Sequence, residues 1–277
     1  MKRILITGAN SYIGTSFEKW MQQFSDNYQI DTIDMHGDQW KEKDFSHYDS
    51  IFHVAGIAHA DVSKVSEETK QLYYKVNCDL AVETAEKYKN DLNGKNGQFI
   101  YMSSIIIYGE ETNINKKRVI TSETLPNPSN FYGDSKWKAE QKLTPLKSDT
   151  FKIVFIRPPM IYGEGSKGNY QLLVKIANWT PVFPNIKNER SMLNIYRLCD
   201  FIKLRVDFSD SGVFLPQDPV FQRTSFMVKE IAASKGKKVY LFSGLNLIIY
   251  LLGYFPGRIG RLINKAFGSL IIEQGVD

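Results

Sequence analysis

A chain of 277 residues, 43% hydrophobic and 23% charged, fits an ordinary soluble globule with one large domain or two lobes. Its net charge of +5 carries no long basic block, so nucleic acid is not required and a small anionic ligand suits the balance. Cys78 and Cys199 lie too far apart in sequence for a disulfide framework or metal-ligand spacing, so no metal is expected and a reducing, cytoplasmic setting fits.

The opening "MKRILITGAN" has too short an apolar run for a signal peptide. "RILIT" (3–7), "YQIDTID" (28–34), "SIFHVA" (50–55), "FIYMSS" (99–104) and "FKIVFIR" (151–157) read as buried parallel strands. Between them, residues 12–24, 66–88 and 131–143 carry helical spacing. Alternating strands and helices imply an α/β fold with a doubly wound parallel (Rossmann) sheet, with ligands at the carboxyl ends of its strands. After Arg157 the pattern loosens into Pro-, Gly- and Asn-rich loops, then returns to a helix at 194–208 and a short strand at 212–216. Residues 1–157 with about 190–215 are therefore expected to form the nucleotide-binding domain. Residues from about 158 to 189 and 216–277 are expected to form a smaller substrate-binding lobe. "KKR" (116–118) and "KGKK" (235–238) read as solvated loops. "LNLIIYLLGYF" (245–255) is too short to span a bilayer and reads as a core or interface helix. Membrane contact, with Arg258, Arg261 and Lys265 following, is the lesser expectation.

Three motifs carry chemistry. "TGANSYIG" (7–14) follows a strand and opens a helix. Gly8 permits the tight turn, Gly14 lets the helix pack closely, and Ser11, Tyr12 and Ile13 form a helix N-terminus able to receive a pyrophosphate. At position 11, where a middle glycine is commoner, Ser either crowds the pyrophosphate with its Cβ or bonds it with its hydroxyl. Asp34 ends the second strand, where a carboxylate accepts from an adenosine ribose and repels a 2′-phosphate, so NAD is favoured over NADP. The strand end at Ser103 and Ser104 can offer a hydroxyl to a substrate oxygen, although a polar strand cap explains it as simply. In "FYGDSK" (131–136), Tyr132 and Lys136 share a helix face at i, i+4. A neighbouring ammonium favours phenolate, which would let the tyrosine exchange a proton with a substrate hydroxyl.

"TGANSYIG", "HVAG", "VN" (76–77), "SSIIIYG", "YGDSK" and "RPPMIYG" together resemble the extended short-chain dehydrogenase/reductase family over about residues 1–230, nearest its nucleotide-sugar epimerase and reductase branch. The resemblance implies Ser104, Tyr132 and Lys136 as the catalytic set. Asp44 and Phe45 are implied at the adenine, Val54, Ala55, Gly56 and Asn77 along the cofactor, and Pro159 in the turn beneath the nicotinamide. Ser104 and Tyr132 are also implied as substrate contacts, with Asn169 and Arg190 on a sugar diphosphate. The implied activity is 4-epimerisation of a UDP-hexose or UDP-N-acetylhexosamine through a transient 4-keto sugar. The alternative is 4-keto reduction with NAD(P)H, and the remote one a non-catalytic nucleotide sensor. A homodimer is implied too. Ile105 and Ile106 replace the Asp-Glu pair of the dehydratase branch, which argues against 4,6-dehydration. The part after the motifs is short for the branch, so a trimmed substrate lobe is expected.

Overall fold

The computed structural model describes residues 1–58, 65–109 and 112–275. In chain order the elements are β1 (Lys2–Thr7), α1 (Tyr12–Met21), β2 (Tyr28–Ile33), β3 (Ser50–His53), α2 (Glu67–Tyr74), α3 (Leu80–Leu92), β4 (Gly97–Met102), β5 (Lys117–Ile120) and α4 (Phe131–Leu143). Then come β6 (Phe151–Ile156), β7 (Met160–Tyr162), α5 (Asn169–Trp179), β8 (Val182–Pro184), β9 (Met192–Asn194), α6 (Ile195–Phe208), β10 (Gly212–Phe214), α7 (Thr224–Ser234), β11 (Tyr240–Phe242), α8 (Asn246–Tyr254), α9 (Arg258–Phe267) and β12 (Ser269–Ile272).

Six strands form one parallel sheet in the order β10-β6-β4-β3-β1-β2. The direction of winding reverses between β1 and β3, which makes the carboxyl ends of those two strands the ligand-binding crevice. The strands are apolar on both faces because both faces are covered. Leu5, Ile51, Phe99, Tyr101, Ile153 and Phe155 pack toward α3 and α4, beside Ala81, Ala85, Tyr88 and Ala139. On the other face, Ile4, Ile6, Phe52, Ile100 and Val154 meet Phe17 of α1 and Leu198, Ile202 and Val206 of α6.

The expected helix at 66–88 is present with a change of phase. A π turn, Lys75–Asp79, joins α2 to α3 and buries Asn77. Beyond the main sheet lie three two-stranded parallel pairs, β5 with β12, β7 with β9 and β8 with β11. "KKR" is not a solvated loop. Lys117 opens β5, and the Arg118 guanidinium donates to the carbonyls of Tyr108 and Gly109. Among the described residues no helix is long and apolar enough to cross a membrane.

Candidate active site

The β1–α1 turn lies at the switch point. Gly8 has φ +87°, and a Cβ there would stand 2.8 Å from the Cα and N of Ala55 at the end of β3. Only glycine lets these two chain segments approach so closely. Ser11 caps α1: its hydroxyl accepts from the Gly14 N–H at 3.1 Å. Its Oγ thus turns back onto the helix end. Gly14 makes that possible, since a Cβ there would lie 2.6 Å from Ser11 Oγ. Tyr12 opens α1 and packs under the 163–165 loop, where burial pushes its phenol up to about 12. Ile13 joins the apolar layer behind the turn.

Asp34, just past β2, is exposed and accepts from the His36 backbone N–H at 3.0 Å, with the His36 ring 2.6 Å away. Those bonds hold its carboxyl below the usual range, so a charged acceptor stands at the strand end. Asp44 accepts from the Ser46 backbone N–H and hydroxyl at 2.8 and 2.9 Å. Phe45 is fully buried between Trp40 and Tyr48, and its N–H donates to Asp91 at 2.9 Å. It therefore offers no surface to an adenine ring, and the implied contact at this residue gives way to a core role. Asn77 is likewise without exposed surface. Its side chain accepts from Ile57 N–H at 2.8 Å and donates to Ile57 O at 3.0 Å and Ser135 Oγ at 3.1 Å. It acts through others, fixing the Val54-Ala55-Gly56 strand end against α4.

Asn130 caps α4 through Gly133 N–H at 2.9 Å, which starts the helix at Phe131 and sets Tyr132, Lys136 and Glu140 along one face. Tyr132 is half-buried, its ring edge-on to Tyr73 at 5.9 Å. Gly133 brings this turn of α4 against the Ile106 carbonyl, which a Cβ would approach to 2.7 Å. Ser104 caps the 3₁₀ turn Ile105–Tyr108 that contains Ile106, accepting from Ile106 N–H at 3.3 Å. Lys136 runs inward: its Nζ donates to Met102 O at 2.8 Å and lies 4.7 Å over the Tyr101 ring. A Cβ on Gly56 would sit 3.2 Å from that Nζ and 3.0 Å from Asn77 Oδ1. The ammonium is thus delivered to the end of β3, with Tyr132 one turn nearer solvent.

Burial pulls the Lys136 ammonium down to about 7, against the opposing pull of Glu140. His53, fully buried with Nδ1 2.9 Å from Thr7 Oγ1, is pushed down to about 3 by burial and then by Lys136, so it stays neutral. Burial, with Glu140 and Tyr132 adding to it, pushes the Tyr101 phenol well up. The Tyr101 hydroxyl donates to Asn77 O at 2.7 Å.

Glu140 and Arg157 were not legible as site residues. Glu140 is buried and accepts from Ser103 Oγ at 2.5 Å and from Arg157 at 2.5 to 3.2 Å. Arg157 also donates to Tyr108 Oη at 2.6 Å. This buried pair ties the ends of β4 and β6 and the 3₁₀ turn to α4. The signals were Glu140 continuing the i, i+4 ladder and Arg157 as a lone cation ending an apolar strand. Pro159 follows it, buried in the turn to β7.

Asn169 is exposed in the first turn of α5. Arg190 is half-buried. Its Nη1 donates to the carbonyls of Lys265 at 2.7 Å and Gly268 at 3.3 Å, capping the end of α9. Through Nη1 the guanidinium therefore helps to hold the fold. Ile105 and Ile106 pack with Ile107, Tyr108 and Trp137, so the 3₁₀ turn carries apolar side chains where dehydration would need carboxylates.

A glycine cradle at the switch point of a parallel sheet, a capped helix end beside it and a charged acceptor past β2 define a Rossmann-type dinucleotide-binding enzyme. The chain belongs to the NAD dependent epimerase/dehydratase family, whose model matches residues 4–180. A UDP-glucose 4-epimerase of Vibrio cholerae is 30% identical over 294 residues, covering 98% of this chain and 87% of that protein. An N-acetyl-α-D-glucosaminyl-diphospho-ditrans,octacis-undecaprenol 4-epimerase of Escherichia coli O157:H7 is 29% identical over 287 residues, covering 96% and 81%. Among solved structures, a UDP-glucuronic acid 4-epimerase of Bacillus cereus in complex with NAD superposes with TM-score 0.67 at 18% identity, covering 96% and 97%. A dTDP-4-dehydrorhamnose reductase of Bacillus anthracis in complex with NADP gives TM-score 0.70 at 18% identity, covering 99% and 91%. The chain is an NAD(P)-dependent enzyme of the extended short-chain dehydrogenase/reductase type.

Proposed function

We propose that the chain is a 4-epimerase acting at C4 of a hexose or N-acetylhexosamine linked to UDP, through a transient 4-keto sugar. The observation that carries this is the delivery of Lys136 Nζ to the end of β3 by the helix face that bears Tyr132, against the turn that bears Ser104. Two curated relatives at 30% and 29% identity, both named as 4-epimerases of diphosphate-linked sugars, support the reaction class.

The residues present fit NAD. The Gly8–Ala55 approach leaves a cradle that a side chain would fill, the end of α1 offers N–H groups to a pyrophosphate, and Asp34 stands ready for ribose hydroxyls. Gly14, Tyr12 and Ile13 shape that helix end, and Val54, Ala55, Gly56 and Pro159 form the walls of the groove. Bound there, the nicotinamide would supply the reversible hydride chemistry at C4. Tyr132 takes the proton of the 4-hydroxyl as the ketone forms and returns it as the sugar is reduced on its other face. Ser104 donates to the same oxygen, holding the carbonyl in place. Lys136, its ammonium pulled down to about 7 by burial, sets the charge on the Tyr132 phenol and would hold the nicotinamide ribose. Asn169 contacts the sugar diphosphate from the end of α5.

Incubation with UDP-N-acetylglucosamine or UDP-glucose, without added NADH, is expected to yield the galacto isomer. No isomer, together with NADH consumption on a 4-keto-6-deoxy sugar, would instead establish the ketoreductase. Tyr132→Phe is expected to lose roughly 10²–10⁴ in turnover while still binding NAD. An unchanged rate removes Tyr132 from the mechanism.

A further inference from the structure

We infer that the hairpin of α8 and α9 is a docking surface for an anionic lipid membrane, a property beyond the proposed reaction and independent of it. The hairpin packs one apolar face inward, where Ile249, Tyr250 and Ile263 meet Ile114, Ile186 and Phe267, and leaves a second one outside. Its small residues face inward: a Cβ on Gly253 would stand 2.5 Å from Ile114 Cγ2, and one on Gly260 would overlap the Phe255 carbonyl at 1.9 Å. A second row of large apolar side chains faces outward. Leu247, Ile248 and Leu251 of α8 are 69, 54 and 54% exposed, and Tyr254 and Phe255 at its end are 70 and 61% exposed. These positions run i, i+1, i+4, i+7, i+8, which is one face of a helix, turned to water. On α9, Ile259 and Leu262 continue the patch at 59 and 54% exposure. An exposed contiguous apolar face of this kind marks an interaction site.

Charge selects the occupant. Arg258, Arg261 and Lys265 are exposed on α9, interleaved with Ile259 and Leu262. From residue 231 to 272 the chain holds Lys235, Lys237, Lys238, Arg258, Arg261 and Lys265 and not one Asp or Glu. A hairpin with three exposed cations, no anion and an outward apolar stripe matches a surface that is negative at its face and apolar just beneath, which describes an anionic phospholipid leaflet. A second copy of the same face would bring the cations against one another. The helices are too short to span a bilayer, so the contact lies in the plane of the interface.

The test is co-sedimentation of the full chain with vesicles of phosphatidylglycerol and phosphatidylcholine, and with vesicles of phosphatidylcholine alone. The parent is expected to pellet with the anionic vesicles and far less with the neutral ones, the binding weakening as salt is raised. Arg258→Ser and Arg261→Ser are each expected to weaken vesicle binding about fivefold. The pair Leu251→Ser and Leu262→Ser is expected to abolish it. All four positions are exposed, so NAD binding should be retained and reports that the variants are folded. A parent that stays in the supernatant with anionic vesicles overturns the inference. So do variants that pellet like the parent. A dimer seen by light scattering that the Leu251→Ser, Leu262→Ser pair converts to monomer also overturns it, since the face would then belong to a second copy.

Discussion

Replacing Lys136 by Met tests whether the site stores its catalytic charge in a form that burial has made nearly neutral. Burial takes the ammonium from 10.5 in the unfolded chain to about 7 in the folded one. Between those values the unfolded chain holds the proton and the folded chain has released it. Unfolding therefore takes up a proton, and stability rises with pH across the window. The full difference, about 3.5 pH units at 1.36 kcal/mol each, is about 5 kcal/mol, approached at up to about 1.4 kcal/mol per pH unit. Urea unfolding of the parent and of Lys136→Met, in steps from about pH 7 to about pH 10, isolates it, because every other titrating group is common to both chains. The parent is expected to gain on the variant steadily with pH, and the variant to lose turnover at every pH. A parent-minus-variant difference that stays flat would refute the reasoning. It would show that the Lys136 proton is not held down by its surroundings, and that the phenol one turn away is set by something else.

Glu140→Gln should cost about 3–5 kcal/mol in urea unfolding by leaving the Arg157 charge buried and unpaired, whereas Glu140→Leu with Arg157→Met should recover much of it. A single-variant loss below about 1 kcal/mol would remove the pair from the support of the site. Gly8→Ala places a Cβ 2.8 Å from the Ala55 backbone at φ +87°, so a loss of roughly 1–3 kcal/mol and weaker NAD binding by titration are expected. Gly37→Ala, at φ +70° with open space around it, is the control and should leave NAD binding unchanged. Arg190→Met should lower stability by about 1.5–3 kcal/mol through the lost caps on α9 and leave KM for the nucleotide sugar unchanged. A raised KM at unchanged stability would return Arg190 to the substrate.

The main sheet was readable because buried parallel strands are short apolar runs between helical repeats, a pattern independent of distant contacts. The readings at 28–34 and 131–143 fall on β2 and α4 nearly residue for residue. The small parallel pairs could not be read that way. β5 and β12 lie about 150 residues apart and have no local signature. At the site, Tyr132 and Lys136 were visible because a helix converts spacing into a shared face. Glu140 and Arg157 were not, because a charge reads as solvated until the fold supplies its partner. Phe45 and Asn77 show the converse. A motif assigns a residue to a position, and its hydrogen bonds then decide whether it meets a ligand or holds the residues that do.

The π turn at Lys75–Asp79 has a consequence for how this chain can vary. It inserts one residue into what would otherwise be a continuous helix, and each added residue advances the azimuth by about 100°. The extra residue lets α2 address Tyr73 to α4 while α3 keeps Ala81, Ala85 and Tyr88 on the sheet. Losing one residue there would leave a longer, locally better helix and turn one of the two halves away from its neighbour. The irregularity is thus the joint that lets two packing faces of different phase share one segment, and length changes should be tolerated almost anywhere on the surface before they are tolerated here.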